Sequence, residues 1–294
     1  METGRPFDDP EGEEGDRALV TRAQAGDRRA LEELAARHQT WIYNIAIRML
    51  GHPQDAEDAT QEILIKALTR LSSFEGRSRF RTWLYRIVVN HVLNTKRGRS
   101  EPATPSFACF AHGLDTTPDL DLPDPRSVPA DLRLLVDEAR ISCTTGMLLC
   151  LDRDQRLVYI LGEILGVSDA VGADLVEISA DNFRQRLARA RRDLHSFMDD
   201  KCGLVNRANP CRCAKKTRGF IQAGYVDPAN LLFARERVRQ VSDLVAARSE
   251  AVRAFEQEYG EVFRQHPFYE SPDLVRTLRE LIASPTVRRL TDAS

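Results

Sequence analysis

One stretch, from Asp55 to Arg97, constrains the fold most, because its pattern is that of two amphipathic helices joined by a short basic and aromatic loop. In the first helix, small and apolar residues from Ala56 to Leu71 recur at helical spacing and predict a buried face. The same spacing gathers four polar residues on one solvent-facing stripe: Asp55, Asp58, Gln61 and Glu62. We call this set the acidic stripe and expect it to meet a basic partner.

The second helix of this stretch is basic. Leu84, Val88 and Val92 mark its apolar side. The opposite face carries Trp83, Arg86, Asn90, Asn94 and Arg97. Arginine neutralises phosphates, asparagine can pair with a base edge, and aromatic rings stack on bases that have left the duplex. The pattern therefore predicts a nucleic-acid-binding helix.

Together, the acidic helix, the aromatic-basic loop and the basic helix resemble conserved region 2 of bacterial RNA polymerase sigma factors, in the extracytoplasmic-function (ECF) group. The resemblance implies that the acidic stripe docks on the β′ clamp helices of the polymerase. It also implies that the loop and second helix recognise and melt the promoter −10 element. The residues expected to do so are Ser78, Arg79, Phe80, Arg81, Trp83, Arg86, Asn90, Asn94 and Arg97.

Length and composition predict a multidomain globular protein. A chain of 294 residues suggests two or three domains, and 42% hydrophobic with 29% charged residues is ordinary for such proteins. Residues 1–17 are acidic and poor in apolar side chains, which predicts a disordered tail before the region 2 domain at 18–99. Prolines accumulate at 100–131, which predicts a linker. Without an apolar run long enough for a membrane span or a secretory signal, we expect a cytoplasmic protein.

The second domain is expected at 132–198 and contains a helix-turn-helix pattern. Ser168 and Ser179 are placed to cap its two helices, although Gly172 interrupts the first. The second helix is basic and suits the major groove. It resembles sigma region 4, which implies −35 recognition by Asn182, Arg184, Gln185, Arg186 and Arg189.

The last third, 199–294, extends beyond the minimal form of the family. Cys202, Cys211 and Cys213 lie in a Gly/Asn/Pro-rich loop, and His195 could supply a fourth zinc ligand. A zinc site, a reversible thiol switch and unpaired cysteines all stay open. We expect the basic side chains of Lys215, Lys216 and Arg218 to lower the pKa values of these thiols.

Amphipathic patterns predict helices at 228–259 and 272–283, which should pack on the sigma domains, on the cysteine loop or on a partner.

We therefore predict an all-α fold in which two helical domains, joined by a Pro-rich linker, precede a helical extension. The predicted function is that of an initiation factor that binds core RNA polymerase and directs it to −10 and −35 elements. Expected partners are core polymerase (β′ clamp helices and β flap), promoter DNA and, as an open possibility, an anti-sigma factor, with no membrane contact and no required cofactor. The alternative is a stand-alone helix-turn-helix regulator with a metal- or redox-sensing module. No catalytic motif is present, so we do not expect an enzyme.

Overall fold

The computed structural model describes residues 10–95, 106–120 and 130–233, together with residues 263, 269, 271, 272 and 274. Over these residues the chain is helical and contains no β-strand, which confirms the predicted all-α class. Arg97 lies outside the described residues, as do nearly all residues of the two helices predicted beyond position 228. Residues 228–233 form turns and bends in place of the predicted start of a helix.

Ten α-helices are described. They are α1 (Pro10–Gln24), α2 (Arg28–Leu50), α3 (Pro53–Arg70), α4 (Phe80–Asn94), α5 (Phe107–Thr116), α6 (Ala130–Leu149), α7 (Arg153–Tyr159), α8 (Asp169–Leu175), α9 (Ala180–Lys201) and α10 (Cys213–Gln222). A 3₁₀ turn, Leu71–Ser73, follows α3, and a π-helical turn, Ile160–Ile164, follows α7. None of the described helices is long and apolar enough to span a membrane.

The described residues fall into two compact units. Among these residues, the first unit draws on 10–95, 157–187 and the few described residues after 268, and the second on 106–120, 130–156, 188–233 and residue 263. The predicted domain at 132–198 therefore contributes to both units and does not form a unit of its own.

The first unit is organised around α2, whose ends are defined by strong local signals. Asp27 caps its start by accepting from the backbone N–H groups of Arg29 and Ala30 at 2.9 and 3.3 Å. Gly51, with φ of 72°, ends it in the left-handed conformation that glycine adopts without strain. Pro53 at the first position of α3 then restarts the chain as a second helix, which packs against α2.

The predicted disordered tail is wrong from residue 10 onward, because α1 belongs to the first unit. Asp16 is fully buried and pairs with Arg81 at 2.7 Å and with Arg37 at 2.9 Å, and His38 Nε2 lies 3.2 Å away. The acidic composition of residues 1–17 predicted a solvated segment. The basic partners of Asp16 were not visible in that composition, because they lie 21 residues or more further along the chain. Their positive charges offset the cost of burying its carboxylate.

The second unit contains a helix inside the predicted linker. The rings of Phe107 and Phe110, on α5, lie 5.0 and 5.9 Å from the Phe197 ring, centroid to centroid. Phe110 also lies against Gly146 of α6, where a Cβ would overlap its ring. Burial of this aromatic cluster gives α5 a tertiary partner, which the proline count of the surrounding segment did not indicate.

Candidate nucleic-acid interface

The acidic stripe occupies the solvent side of α3, as predicted. The opposite side of that helix is buried at Ala56, Ala59, Thr60, Ile63, Leu64 and Ala67. Within the stripe, Asp58 and Glu62 are exposed, whereas Asp55 and Gln61 are partly buried. Gln54 donates to Asp58 at 3.3 Å, and Lys66 lies 3.9 Å from Glu62. Both contacts are surface interactions of small energy, so they would yield to a tighter partner.

The loop before α4 is only partly as predicted. Ser78 and Arg79 are exposed and can reach a ligand. Phe80 and Arg81 are each 5% exposed, and Arg81 forms the buried pair with Asp16. The prediction that Phe80 and Arg81 contact DNA is therefore wrong, because the Phe80 ring packs against His38 of α2 and the Arg81 guanidinium pairs with Asp16 of α1.

Trp83 lies at the base of this loop in an aromatic cluster. Its ring centroid is 5.3 Å from that of Phe74 and 5.7 Å from that of Phe80. The indole is partly exposed. This packing covers part of the indole and gives the ring a defined orientation.

The predicted polar face of α4 is present, but one of its residues, Arg86, is already paired within the protein. Asn90 and Asn94 are exposed, with Asn94 Nδ2 donating to the Asn90 carbonyl at 2.8 Å. Arg86 donates to the Asp174 carboxylate at 2.5 Å and to its backbone carbonyl at 3.3 Å. Sequence reasoning missed Asp174, because nothing in the spacing of 88 residues signals that α8 packs against α4.

The helix-turn-helix has the predicted caps. Ser179 accepts from the Asn182 N–H at 3.2 Å, and Ser168 from the Val171 N–H at 3.4 Å. Gly172, which seemed to weaken the first helix, is required by packing, since a Cβ there would overlap the Phe183 ring. The turn contains Glu177 at φ of 55°, in the left-handed region.

The polar faces of α9 carry the predicted −35 residues. Asn182, Gln185 and Arg189 are exposed, and Arg186 is partly buried. Arg184 is exposed but pairs with Asp181 and lies 3.7 Å from Asp169. Phe183, Leu187, Ala190 and Leu194 are buried along the opposite side of the helix. This amphipathic division leaves one polar face of α9 for a ligand.

The cysteines do not have the predicted acidity. All six are described, and none forms a disulfide. Burial raises the pKa of Cys202 and of Cys211, and it raises the pKa of Cys213 to about 12. Lys216 lowers the pKa of Cys211 only as a smaller opposing effect. The expectation of lowered thiol pKa values is wrong, because desolvation outweighs the neighbouring cations.

The predicted zinc ligands Cys202, Cys211, Cys213 and His195 are all described. Among the described residues, no three His, Cys, Asp or Glu side chains converge on one point as metal ligands do. The three cysteine thiols nevertheless lie close enough that charge on Cys202 or Cys211 would raise the pKa of Cys213.

An all-α framework with an acidic stripe on α3, and with arginine and asparagine on the polar faces of α4 and α9, fits a protein that binds nucleic acid and a second macromolecule. Comparison with known proteins agrees. The sigma-70 region 2 family matches residues 34–101. The RNA polymerase sigma-H factor of Pseudomonas aeruginosa is 33% identical over 184 residues, which are 61% of this chain and 91% of that protein.

Two further relatives give the same picture. The sigma factor CnrH of Cupriavidus metallidurans is 32% identical over 64% of this chain and 96% of its own length. The ECF sigma-E factor of Escherichia coli is 32% identical over 60% and 90% respectively. The solved structure of CnrH in complex with the cytosolic domain of CnrY aligns with 63% of this chain and 97% of that chain, at 26% identity and a TM-score of 0.44.

The chain belongs to the ECF group of the sigma-70 family of RNA polymerase sigma factors. It is a transcription initiation factor, and the stand-alone regulator is not favoured. This membership agrees with the expectation that the chain is not an enzyme.

Proposed function

We propose that the acidic stripe is the contact with the β′ clamp helices of core RNA polymerase. The observation that carries the proposal is the exposure of Asp58 and Glu62 on the solvent side of α3, one helical turn apart. Their contacts with the protein itself are long: Asp58 accepts from Gln54 at 3.3 Å, and Glu62 lies 3.9 Å from both Lys66 and His91. A basic helical partner would gain two charge pairs there without disturbing the buried side of α3.

For the −10 element, we propose a smaller set of contacts than the sequence suggested. Ser78 and Arg79 would hold an unstacked base against Trp83, because both are exposed in the loop that leads into α4 and the Trp83 ring, in the first turn of α4, is partly exposed. Asn90 and Asn94 would contact the edge of the duplex from the exposed side of α4. Arg86 would bind a phosphate once it leaves Asp174. Arg97 keeps its expected role as a phosphate contact from the sequence pattern alone.

For the −35 element, we propose that α9 enters the major groove. Asn182 and Gln185 are exposed in the first two turns of this helix, where side chains reach base edges. Arg184, Arg186 and Arg189 would add base or phosphate contacts. The resemblance to the family further implies that this half of the protein meets the β flap, which stays a prediction. A separate anti-sigma factor stays an open possibility.

In vitro transcription tests the promoter assignment. Core polymerase loaded with the full chain is given sheared genomic DNA, and the 5′ ends of the transcripts are mapped. We expect start sites that share two sequence elements at the −10 and −35 positions. Arg189→Ala should reduce transcription from these starts, with most loss at promoters whose upstream element is weakest.

Arg191→Ala is the matched control, because it removes the same charge two residues along α9, about 200° around the helix. An equal loss with both variants would mean that only the overall charge of α9 matters. Start sites without a shared upstream element would contradict the −35 assignment.

A further inference from the structure

The loop at 75–79, which we call the −10 loop, is exposed along its whole length and leads into α4. Ser78 and Arg79, the residues proposed to capture a −10 base, belong to it. Phe74, directly before the loop, is partly buried, and Phe80, directly after it, is buried. The position of the −10 loop therefore depends on how these two ends are held.

Gln24, the last residue of α1, holds the first end. Its Nε2 donates to the backbone carbonyl of Leu71 at 2.9 Å and to that of Phe74 at 2.8 Å. Leu71 opens the 3₁₀ turn after α3, and Phe74 follows its last residue. One amide group thus fixes the backbone at both ends of this turn, from 47 and 50 residues earlier in the chain.

The same contact sets the support of the Trp83 ring. The Phe74 ring lies 5.3 Å from the indole and 5.8 Å from the Phe80 ring, centroid to centroid. Because Gln24 fixes the backbone of Phe74, it also limits where these rings can lie. A base that stacks on the exposed part of Trp83 thus meets a ring whose position is set in part by α1.

Glu13, about three turns earlier on α1, holds the second end. Its Oε1 accepts from the Phe80 N–H, the first of α4, at 3.0 Å. Arg79, which precedes α4, makes no side-chain capping bond. The first N–H groups of a helix have no intrahelical partner, and a carboxylate near them also favours the positive end of the helix dipole. Glu13 therefore supplies the cap that the −10 loop does not.

The start of α4 is already occupied by the carboxylates of α1. Arg81 Nε lies 2.7 Å from Asp16 and 3.8 Å from Glu13, so its charge is neutralised within the protein. Glu13 also takes the place at the helix N-terminus where a phosphate would otherwise bind. Contact with DNA is therefore left to the exposed −10 loop.

The helix that makes these contacts is itself fixed. Leu19, Val20 and Ala23 are buried, and α1 packs against both α2 and α4. Burial of this apolar face holds α1 in place without help from the loop. Gln24 and Glu13 are thus two points on one packed helix, and the distance between them is set by its length.

We propose that α1 is the positioning element of the −10 loop, and that Gln24 and Glu13 set base selection without touching DNA. The proposal rests on the assignment of Ser78, Arg79 and Trp83 to base capture. A loop whose ends are fixed loses less conformational entropy when a base binds. Releasing either end adds loop conformations in which the contacts that distinguish one base from another are no longer in place.

Base selection by the loaded enzyme tests the proposal. Core polymerase carrying the full chain is mixed with fluorescein-labelled DNA single strands that contain a randomised segment, and the bound strands are sequenced. We expect the wild type to enrich a defined base at the captured position, above the background of core polymerase alone. Gln24→Glu, whose carboxylate cannot donate, and Glu13→Ala should each lower this enrichment at least about fivefold.

A conservative variant separates positioning from a loss of folding. Glu13→Gln keeps an oxygen that accepts from the Phe80 N–H, so it should retain the wild-type enrichment. Affinity for core polymerase, measured in parallel, should stay unchanged in every variant, because the acidic stripe lies on α3.

Two matched variants control for charge on α1. Thr21→Glu adds the same negative charge as Gln24→Glu, at an exposed position one turn earlier. Glu14→Ala removes an exposed carboxylate next to Glu13. Both should enrich the same base as the wild type does.

The results that would overturn the proposal differ in what else they reject. Wild-type enzyme without a preferred base would reject base capture by the −10 loop, and with it the role of α1. A preferred base that persists in both Gln24→Glu and Glu13→Ala would reject the role of α1 alone. An equal loss in Thr21→Glu, or a loss in Glu13→Gln, would replace positioning by a general effect of charge.

Discussion

Arg86 on α4 and Asp174 on α8 form an ion pair in which Nη2 lies 2.5 Å from Oδ1. The side chains are 37% and 51% exposed, so water screens the pair and its contribution to stability is at most about 1 kcal/mol. A DNA phosphate and the Asp174 carboxylate would bind the same guanidinium. Asp174, in the first helix of the helix-turn-helix, thus binds Arg86, which is proposed to contact the −10 element.

Removing the carboxylate should release Arg86. We expect Asp174→Asn to tighten binding of a fluorescent single-stranded oligonucleotide by about two- to fivefold, measured by anisotropy, with little change in stability. Glu177→Gln, which removes an exposed acidic charge three residues along the chain, controls for general repulsion. Equal gains from both variants would mean that Asp174 acts only through its charge.

Asp16 should couple the stability of the first unit to pH. Burial raises the pKa of its carboxyl, but His38 and Arg81 outweigh burial and lower it from 3.8 to about 2. A carboxyl with a lowered pKa stabilises the fold above its unfolded pKa, and this stabilisation is lost as pH falls from 3.8 toward 2. The shift corresponds to about 2 kcal/mol.

Asp16→Asn would leave the Arg81 guanidinium buried without its closest carboxylate. We expect the free energy of unfolding, from urea titration at neutral pH, to fall by about 3 kcal/mol. The gap between variant and wild type should narrow as the pH is lowered from 3.8 toward 2.5, since the carboxyl is then protonated in the unfolded state and must lose its proton when the pair forms on folding. A gap that stays constant over this range would contradict the assigned pairing.

Gly172 should tolerate no side chain while Phe183 is present. Gly172→Ala gains helix propensity, but its methyl group overlaps the Phe183 ring, so we expect a net loss of about 1–2 kcal/mol in urea unfolding. The double variant Gly172→Ala/Phe183→Leu should lose less than the sum of the two single changes. If the two losses simply add, the structure relieves the overlap by moving groups other than the Phe183 ring.

Asn44 should hold the C-terminal segment on α2. Its Nδ2 donates to the Tyr269 carbonyl at 2.8 Å, and its Oδ1 accepts from the Tyr269 N–H at 3.0 Å. Asn44→Ala removes both hydrogen bonds, which should lower the free energy needed to detach the segment at Tyr269 by about 2 kcal/mol. The Tyr269 amide should then exchange its hydrogen at least about tenfold faster. The exposed Asn90→Ala is the control, and unchanged exchange in Asn44→Ala would contradict the attachment.

Sequence pattern predicted the parts of this protein that depend on local signals. The face of α3 follows from helical spacing, and the caps at Ser168 and Ser179 follow from the residue type that accepts from an N–H three residues on. The family resemblance predicted DNA binding by α4 and α9, because the order of residues within a motif can be read from a single sequence.

The errors all concern partners that lie far apart in the chain. Arg81 was expected to contact the −10 element, but it pairs with Asp16 of α1. Arg86 was expected on the same DNA-binding surface, and it pairs with Asp174 of α8. The acidity of the loop thiols was judged from the adjacent lysines, whereas burial by the surrounding fold decides it.

Binding of core RNA polymerase is the most direct test of the central claim. The affinity of the full chain for core enzyme is measured for the wild type, Asp58→Lys and Glu14→Lys, the last reversing an exposed charge on α1. We expect Asp58→Lys to weaken binding at least about tenfold, with helical content and unfolding midpoint unchanged, and Glu14→Lys to bind as the wild type does. Wild-type affinity in Asp58→Lys, or equal weakening in both variants, would contradict the assignment of the acidic stripe as the polymerase contact.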